Sequence, residues 1–245
     1  MAKRVFILFF MATVLVSCQF TETVVLQEDG SGTISLKMDM GEMMAFGMGM
    51  PDSLMTKMDT IVAMKDFLRE KQDSISKLSD KQQNRLKKME DFKIRATMDS
   101  DAGVLLFDMF TAFKNVTEAN DFFNNFSETS QIVPNMGGDM KFNKDESSEE
   151  IMGVSYKFEK GKFKRDAFII DKEKHQQQVD SLKGSEAFMG SMMYTLKYTF
   201  PRKIKKASIK DAKLSMDGKT IEVERSFIDY FKNPDVLDLE VEIEK

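Results

Sequence analysis

The feature that most restricts the fold is a two-residue alternation of apolar and polar side chains. It recurs in pairs of segments, most of them joined by a glycine-bearing turn. Successive side chains of a strand point to opposite faces, so this alternation builds a sheet with one buried and one wet face. The plainest case closes the chain, where Leu237, Leu239, Val241 and Ile243 alternate with Asp238, Glu240, Glu242 and Glu244. Phe92, Ile94, Ala96 and Met98 alternate with Lys93, Arg95, Thr97 and Asp99. Ser100-Asp101-Ala102-Gly103 then turns, and Leu105, Phe107, Met109 and Phe113 share a face beyond it. Met152, Val154, Tyr156 and Phe158 lead through Glu159-Lys160-Gly161-Lys162 into a return strand over 163–170. Residues 21–28, with Val24 and Leu26 on one face, turn at Asp29-Gly30-Ser31-Gly32 into 33–38. Tyr194, Leu196, Tyr198 and Phe200 alternate up to Pro201. An irregular strand then occupies 204–216, and Asp217-Gly218 turns into 220–225. Asp-Gly between strand runs is a strong hairpin signal.

Helices are expected between these hairpins. Residues 59–91 read as helix, break, helix: Val62, Met64, Phe67 and Leu68 give a short apolar face, Asp73-Ser74 interrupts, and Ser79-Asp80-Lys81-Gln82 fits a capping box ahead of Leu86 and Met89. Thr117 is expected to cap a helix to about 127, with Ala119, Phe122, Phe123 and Phe126 inward. Asp171 is expected to cap another to about 192, with Val179, Leu182, Phe188 and Met189 as its contacts and Gly184 and Gly190 weakening it. Residues 227–231 form a short helical segment. The chain between Met38 and Met58 is rich in methionine and carries Gly41, Gly47, Gly49 and Pro51, which predicts a mobile connection with at most a helical turn at 42–46. Residues 128–150 are polar, and the run 145–150 is a solvated acidic loop. The fold class that follows is α+β: a mainly antiparallel sheet built of hairpins, with helices on one face and a helical insertion. Residues 18–245 are expected to form one domain, in which 39–91 are a Met-rich linker and helical insertion.

The first eighteen residues are of another kind. Lys3 and Arg4 precede an uncharged apolar run from 5 to 16, of signal-peptide length and too short to span a bilayer comfortably. Leu15-Val16-Ser17-Cys18 follows, and Cys18 is the one cysteine of the chain. This resembles the lipobox of bacterial lipoproteins at all four positions. The resemblance implies that 1–17 are a signal peptide cleaved before Cys18. It also implies a diacylglycerol thioether on the Cys18 sulfur, and a further acyl chain such as palmitate on its amino group. Two or three acyl chains make a durable anchor, at about 0.8 kcal/mol per buried CH₂. Gln19 stands where an aspartate favours inner-membrane retention in enterobacteria, so the implied location is the outer membrane, facing the periplasm. A tether of only a few residues, Gln19 to about Thr21, is expected before the first strand.

Two further segments resemble the domain of the LppM-like bacterial lipoproteins. One is Val24-Val25-Leu26-Gln27-Glu28-Asp29-Gly30-Ser31-Gly32-Thr33-Ile34. The other is Tyr198-Thr199-Phe200-Pro201 with the later hairpin Asp217-Gly218-Lys219-Thr220-Ile221. Arg202 follows Pro201 where that family usually has glycine. The resemblance implies contact with lipids or envelope glycolipids and assigns no catalytic residue.

Composition narrows the chemistry. Without Lys3 and Arg4, 34 basic and 40 acidic residues remain, a net charge of −6, which argues against a nucleic-acid partner. The densest basic cluster, Arg202-Lys203-Ile204-Lys205-Lys206, reads as a solvated strand edge. A nucleophilic triad would need His175 as its base, the one histidine, and it sits in the polar run Lys172-Glu173-Lys174-His175-Gln176-Gln177-Gln178, which predicts a solvent-facing ring. Zinc ligands are lacking for the same reason, and no phosphate loop or dinucleotide fingerprint is present. No cofactor or metal is assigned. The expectation is a non-enzymatic, lipid-anchored envelope lipoprotein that binds a lipid or another envelope component. One alternative is Cu(I) binding by soft thioethers, since Met38-Asp39-Met40 and Met48-Gly49-Met50 have Met-x-Met spacing. Another is a structural or assembly role in the envelope.

Overall fold

The computed structural model of the chain describes residues 19–41, 57–120, 122, 151–184, 186 and 190–245. The first half of the fold holds strands β1 (Gln19–Leu26), β2 (Gly32–Asp39) and β3 (Met58–Ala63), helices α1 (Met64–Glu70), α2 (Gln72–Ile75) and α3 (Asp80–Lys88), and strands β4 (Lys93–Asp99) and β5 (Val104–Phe113). The second half holds β6 (Met152–Glu159), β7 (Lys162–Ile169), α4 (Lys172–Ser181), β8 (Met193–Thr199), β9 (Ile204–Ala207), β10 (Lys213–Leu214), β11 (Thr220–Ser226), α5 (Phe227–Lys232) and β12 (Leu239–Ile243).

The strands divide between two sheets. Sheet A has the order β10-β11-β8-β1-β2-β5-β4-β3, and sheet B the order β6-β7-β12-β9. The expected hairpins form in register: Val24 opposes Ile34, Met98 opposes Leu105, and Phe158 opposes Phe163. Among the described pairings, one is parallel, β1 with β8, where Glu22 opposes Leu196. The fold is therefore α+β and mainly antiparallel. One continuous core takes Val24, Leu26, Ile34 and Leu36 from sheet A and Val154, Phe163, Ala167 and Val241 from sheet B. Full burial of the valine, leucine, isoleucine and phenylalanine side chains among them contributes about 1.5–3 kcal/mol each. The β6–β7 turn places Lys160 at φ 51° and Gly161 at φ 75°, a two-residue turn with both central residues left-handed, whose twist matches the flanking strands.

Several elements depart from the sequence reading. Met58–Ala63 is a strand, not the start of a helix, and forms the edge of sheet A. The β-branched run Thr60-Ile61-Val62 favours an extended backbone and overrides the helical spacing of its neighbours. Part of the expected insertion is thereby built into the sheet. Helix α3 does begin at Asp80, directly after Ser79, although the Gln82 side chain lies outside the described residues. Asn115, not Thr117, caps the segment after β5, its side chain accepting from the Thr117 amide at 3.0 Å, and that segment is a short 3₁₀ turn, Val116–Ala119. Asp171 caps α4 as expected, accepting from the Lys174 amide at 3.0 Å. That helix ends at Ser181, and a 3₁₀ turn over Leu182–Gly184 follows. The expected strand 204–216 is two strands in different sheets, since β9 pairs with β12 and β10 with β11. β9 is the edge of sheet B, as the basic cluster predicted, and Lys205 there meets Glu242 at 2.7 Å. The expected signal peptide with Cys18, the expected turn at 42–46, the far part of the helix expected to reach 127 and the acidic run 145–150 lie outside the described residues.

Candidate functional site

β1 carries Phe20, Glu22, Val24 and Leu26 on its core-facing side, and β7 carries Phe163, Arg165 and Ala167 on its own. The same period that buries the apolar residues therefore buries one carboxylate and one guanidinium. Both side chains have no exposed surface and form a two-point ion pair: Arg165 Nη2 donates to Glu22 Oε2 at 3.0 Å and Nε donates to Oε1 at 3.3 Å.

Three hydroxyls complete the carboxylate. Tyr156 donates to Oε1 at 2.5 Å, Tyr194 donates to Oε2 at 2.9 Å, and Tyr198 donates to Oε1. With the two guanidinium contacts this makes five donors, which fills the roughly four lone-pair sites a carboxylate offers. Arg165 Nη1 donates to the Leu237 carbonyl at 3.1 Å, and Nη2 also donates to the Tyr230 hydroxyl at 3.2 Å. The Tyr230 ring lies 5.6 Å from the guanidinium carbon, within cation–π reach. Every tyrosine of the chain converges here, whereas 21 positions use phenylalanine. A buried phenol needs a partner for its hydroxyl, and the tyrosines stand where one exists.

The electrostatics keep each group of the cluster in one protonation state. Burial, reinforced by the Glu22 charge, pushes the Tyr156, Tyr194 and Tyr198 phenols well above the ordinary tyrosine range, so they remain donors. Burial opposes the Arg165 charge, but the attraction of Glu22 outweighs it and holds the guanidinium firmly protonated. The cluster joins β1 and β8 of sheet A to β6 and β7 of sheet B, and to α5 and Leu237 near the C-terminus. Sequence reading missed it because the ion-pair partners are 143 residues apart. The available signal was a charge at core parity in each of two strands.

His175 is placed against expectation. It is 5% exposed, and its Nε2 donates to the Phe231 carbonyl at 2.7 Å, docking α4 on α5. The helix buries this one residue, so no apolar stripe announces its inner face. Beside it, Phe231 stacks on Phe227, and Phe227 on Phe20 with centroids 4.7 Å apart.

Cys18 lies one residue before the described chain, and β1 begins at Gln19 itself. The expected tether is therefore replaced by strand. Of the candidate thioethers, Met38 and Met40 lie on one face at the end of β2, packed with Met58 against a small core of Met98, Leu105 and Phe107. Met48 and Met50 lie outside the described residues. At the far end of β1, a groove of about 410 Å³ opens between Glu28, Asp29, Asn115, Phe158, Lys160 and Arg202. Among the described residues, no helix is long and apolar enough to cross a membrane.

No protein-family model matches the chain, and no curated protein matches it in sequence. Among solved structures, the NMR structure of the folded domain of the Mycobacterium tuberculosis protein LppM is similar to it, with a TM-score of 0.41 and 8% identity over 93% of this chain and 89% of that one.

Proposed function

We propose that the protein is a lipid-anchored lipoprotein of the cell envelope whose folded body acts by binding, without catalysis. In this reading the mature chain starts at Cys18, carries its acyl chains there, and sits at the outer membrane facing the periplasm. The observation that carries it is the junction. The lipobox residues Leu15-Val16-Ser17-Cys18 stand directly ahead of Gln19, which is already paired in β1 with Asp39 and Met193. A cut before Cys18 spares every described residue of β1, whereas a cut a few residues later would shorten the middle of sheet A. The binding reading is supported by the state of the buried polar cluster, whose groups are turned on one another and are all buried. The ligand or partner class is a lipid or another envelope component.

Expression of the full chain in a Gram-negative host tests the anchor. Intact mass should show a mature protein starting at Cys18 with a diacylglycerol added, and a Cys18→Ser variant should keep its signal peptide. A wild-type protein cleaved elsewhere, or left unacylated, overturns the reading. Native mass spectrometry of the released body should then show a co-purifying lipid or a stable complex with an envelope protein, and neither would refute the binding role.

One observation favours Cu(I) binding as a second reading. Met58 and Met98 are direct cross-strand partners, and Met38 and Met40 pack on the same small core. Thioethers gathered on one face suit a soft cation. Cu(I) titration of the wild type against Met→Leu changes at 38, 40, 58 and 98 decides it, and equal affinities reject it.

A further inference from the structure

The end of the body next to Cys18 carries a small exposed apolar patch. Phe168 is 41% exposed and Ile170 is 46% exposed, although both belong to a segment whose other faces are well packed. They project from the outer face of sheet B, side by side over Gly153. A β-carbon built on that glycine would stand 2.7 Å from Phe168 Cζ and 3.3 Å from Ile170 Cδ1. The glycine thus lets the two side chains lie flat together as one surface. Lys172, exposed and two residues further on, begins the helix that follows.

The topology places this patch at the anchor. β1 starts beside Cys18 and ends at the groove lined by Glu28 and Asp29. β7 starts at that groove, beside Lys160 and Gly161, and runs back the other way. The arm from Glu22 to Gln19 along β1 and the arm from Arg165 toward Phe168 along β7 therefore leave the ion pair in the same sense. A continuous run of contacts joins the two points: Phe20 on Phe227, Phe227 on Phe231, Phe231 on His175, and then α4 back to its cap, Asp171, next to Ile170. Since β1 begins at Gln19, a Cys18 in the bilayer surface leaves about one residue, roughly 3.5 Å, between the anchor and the body. That end of the body has to touch the headgroup layer.

We infer that Phe168 and Ile170 form a second, non-covalent contact with the membrane that holds the anchor, inserting at the interface with Lys172 at headgroup level. An aromatic and an aliphatic side chain flanked by lysine suit this layer. The contact is apolar and not electrostatic, because the chain from Cys18 onward carries a net charge of −6. It fixes the orientation of the sheets on the membrane, where an anchor alone would leave the body free to swing. The inference rests on the lipoprotein reading.

The absence of tryptophan from the chain makes the test direct. Phe168→Trp is prepared in the full, acylated protein and reconstituted into phosphatidylcholine vesicles carrying a shallow spin-labelled quencher lipid. Ile170→Trp serves as a second probe. Met216→Trp is the control, since Met216 is fully exposed at the β10–β11 turn, beyond the far ends of β8 and β1. Emission of both patch variants should fall about twofold or more at an insertion depth of roughly 5–10 Å, with that of the control unchanged, and the loss should be the same when a third of the lipid is anionic. Floated, acylated protein whose patch variants are quenched no more than the control overturns the second contact and leaves the anchor standing. Self-association that protects the patch from quencher assigns it to a second copy instead and also overturns it. A mature protein with no acyl group on Cys18 overturns both readings.

Discussion

Replacing Glu22 by glutamine is the sharpest probe of how the two sheets are joined. The amide keeps the shape and removes the charge, so the Arg165 guanidinium stays fully buried without a counter-ion. Breaking a buried pair from one side costs about 3–5 kcal/mol. The new NH₂ also faces donors on at least one side, since Oε1 and Oε2 both accept from Arg165 and from tyrosine hydroxyls. Against a total stability of about 5–15 kcal/mol for a domain, this removes roughly a fifth or more. With a shift of about 2–4 °C per kcal/mol at this size, Tm should fall by roughly 6–20 °C. Urea unfolding of the anchor-free body followed by circular dichroism measures the change. A double variant, Glu22→Leu with Arg165→Met, removes both charges but strands the three phenols that donate to Glu22, each costing about 1–3 kcal/mol, and takes the Arg165 donor from the Tyr230 hydroxyl and the Leu237 carbonyl. It should stay destabilised until Tyr156, Tyr194 and Tyr198 are also changed to Phe, when most of the loss should return. A Glu22→Gln variant within about 0.5 kcal/mol of wild type, the range of an ordinary surface change, would refute a buried, charged lock.

Three further outcomes follow from other observations. The raised phenols of Tyr156, Tyr194 and Tyr198 hold their protons more tightly folded than unfolded, so their contribution is complete below about pH 10 and is lost as pH rises above it, at about 1.4 kcal/mol per pH unit for each phenol; phenolate absorbance, which reports this cluster and nothing else in the chain, should rise in one step with unfolding, and gradual titration of a folded protein would contradict the burial. His175→Phe keeps the ring but leaves the Phe231 carbonyl without its donor and should cost about 1–3 kcal/mol in urea unfolding, where a solvent-facing histidine would cost almost nothing. Lys160→Asn should stabilise by about 1 kcal/mol, because a lysine at φ 51° bears a left-handed strain that asparagine tolerates, and an unchanged midpoint would show the turn to be relaxed.

Hairpins were legible because each carries its own instructions. The period sets the face, and turns such as Asp29-Gly30 and Lys160-Gly161 set the pairing within a few residues. What sequence could not supply was the pairing of distant elements. The parallel contact of β1 with β8 joins residues more than 170 positions apart, and no local pattern encodes it. The division into two sheets was hidden for the same reason, because the 204–216 segment reads as one irregular strand although its halves serve different sheets. Glu22 and Arg165 broke the apolar pattern visibly, but an inward charge is intelligible only with its partner, and that partner comes from tertiary structure. His175 was misjudged because its neighbours in sequence are polar while its neighbours in space are Phe231 and the end of α5. The Met-x-Met spacing of Met38 and Met40 is visible in the sequence, but their packing beside Met58 and Met98, brought by the edge of sheet A, is not.

In the lipoprotein reading β1 is the strand that meets the anchor, and it is paired on both of its sides. All eight of its residues pair with β2 and seven of them with β8, and Glu22 locks it to sheet B. A lipoprotein whose body hangs on a flexible tether can be shaved from a membrane by protease. Here no unpaired backbone lies between Gln19 and Leu26, and a protease needs an extended, accessible segment that this stretch provides only after the sheet opens. Protease added to vesicles bearing the acylated protein should therefore release no intact body cut between Cys18 and Val24, at any dose that leaves the sheet folded. In the Glu22→Gln variant that cut should become faster by the factor its lost stability implies, about tenfold for each 1.4 kcal/mol when opening is rapid and reversible. Rapid release of an intact body from the wild type would mean that the first strand is not held as the pairing requires. Equal rates in the two proteins would mean that the ion pair does not hold it.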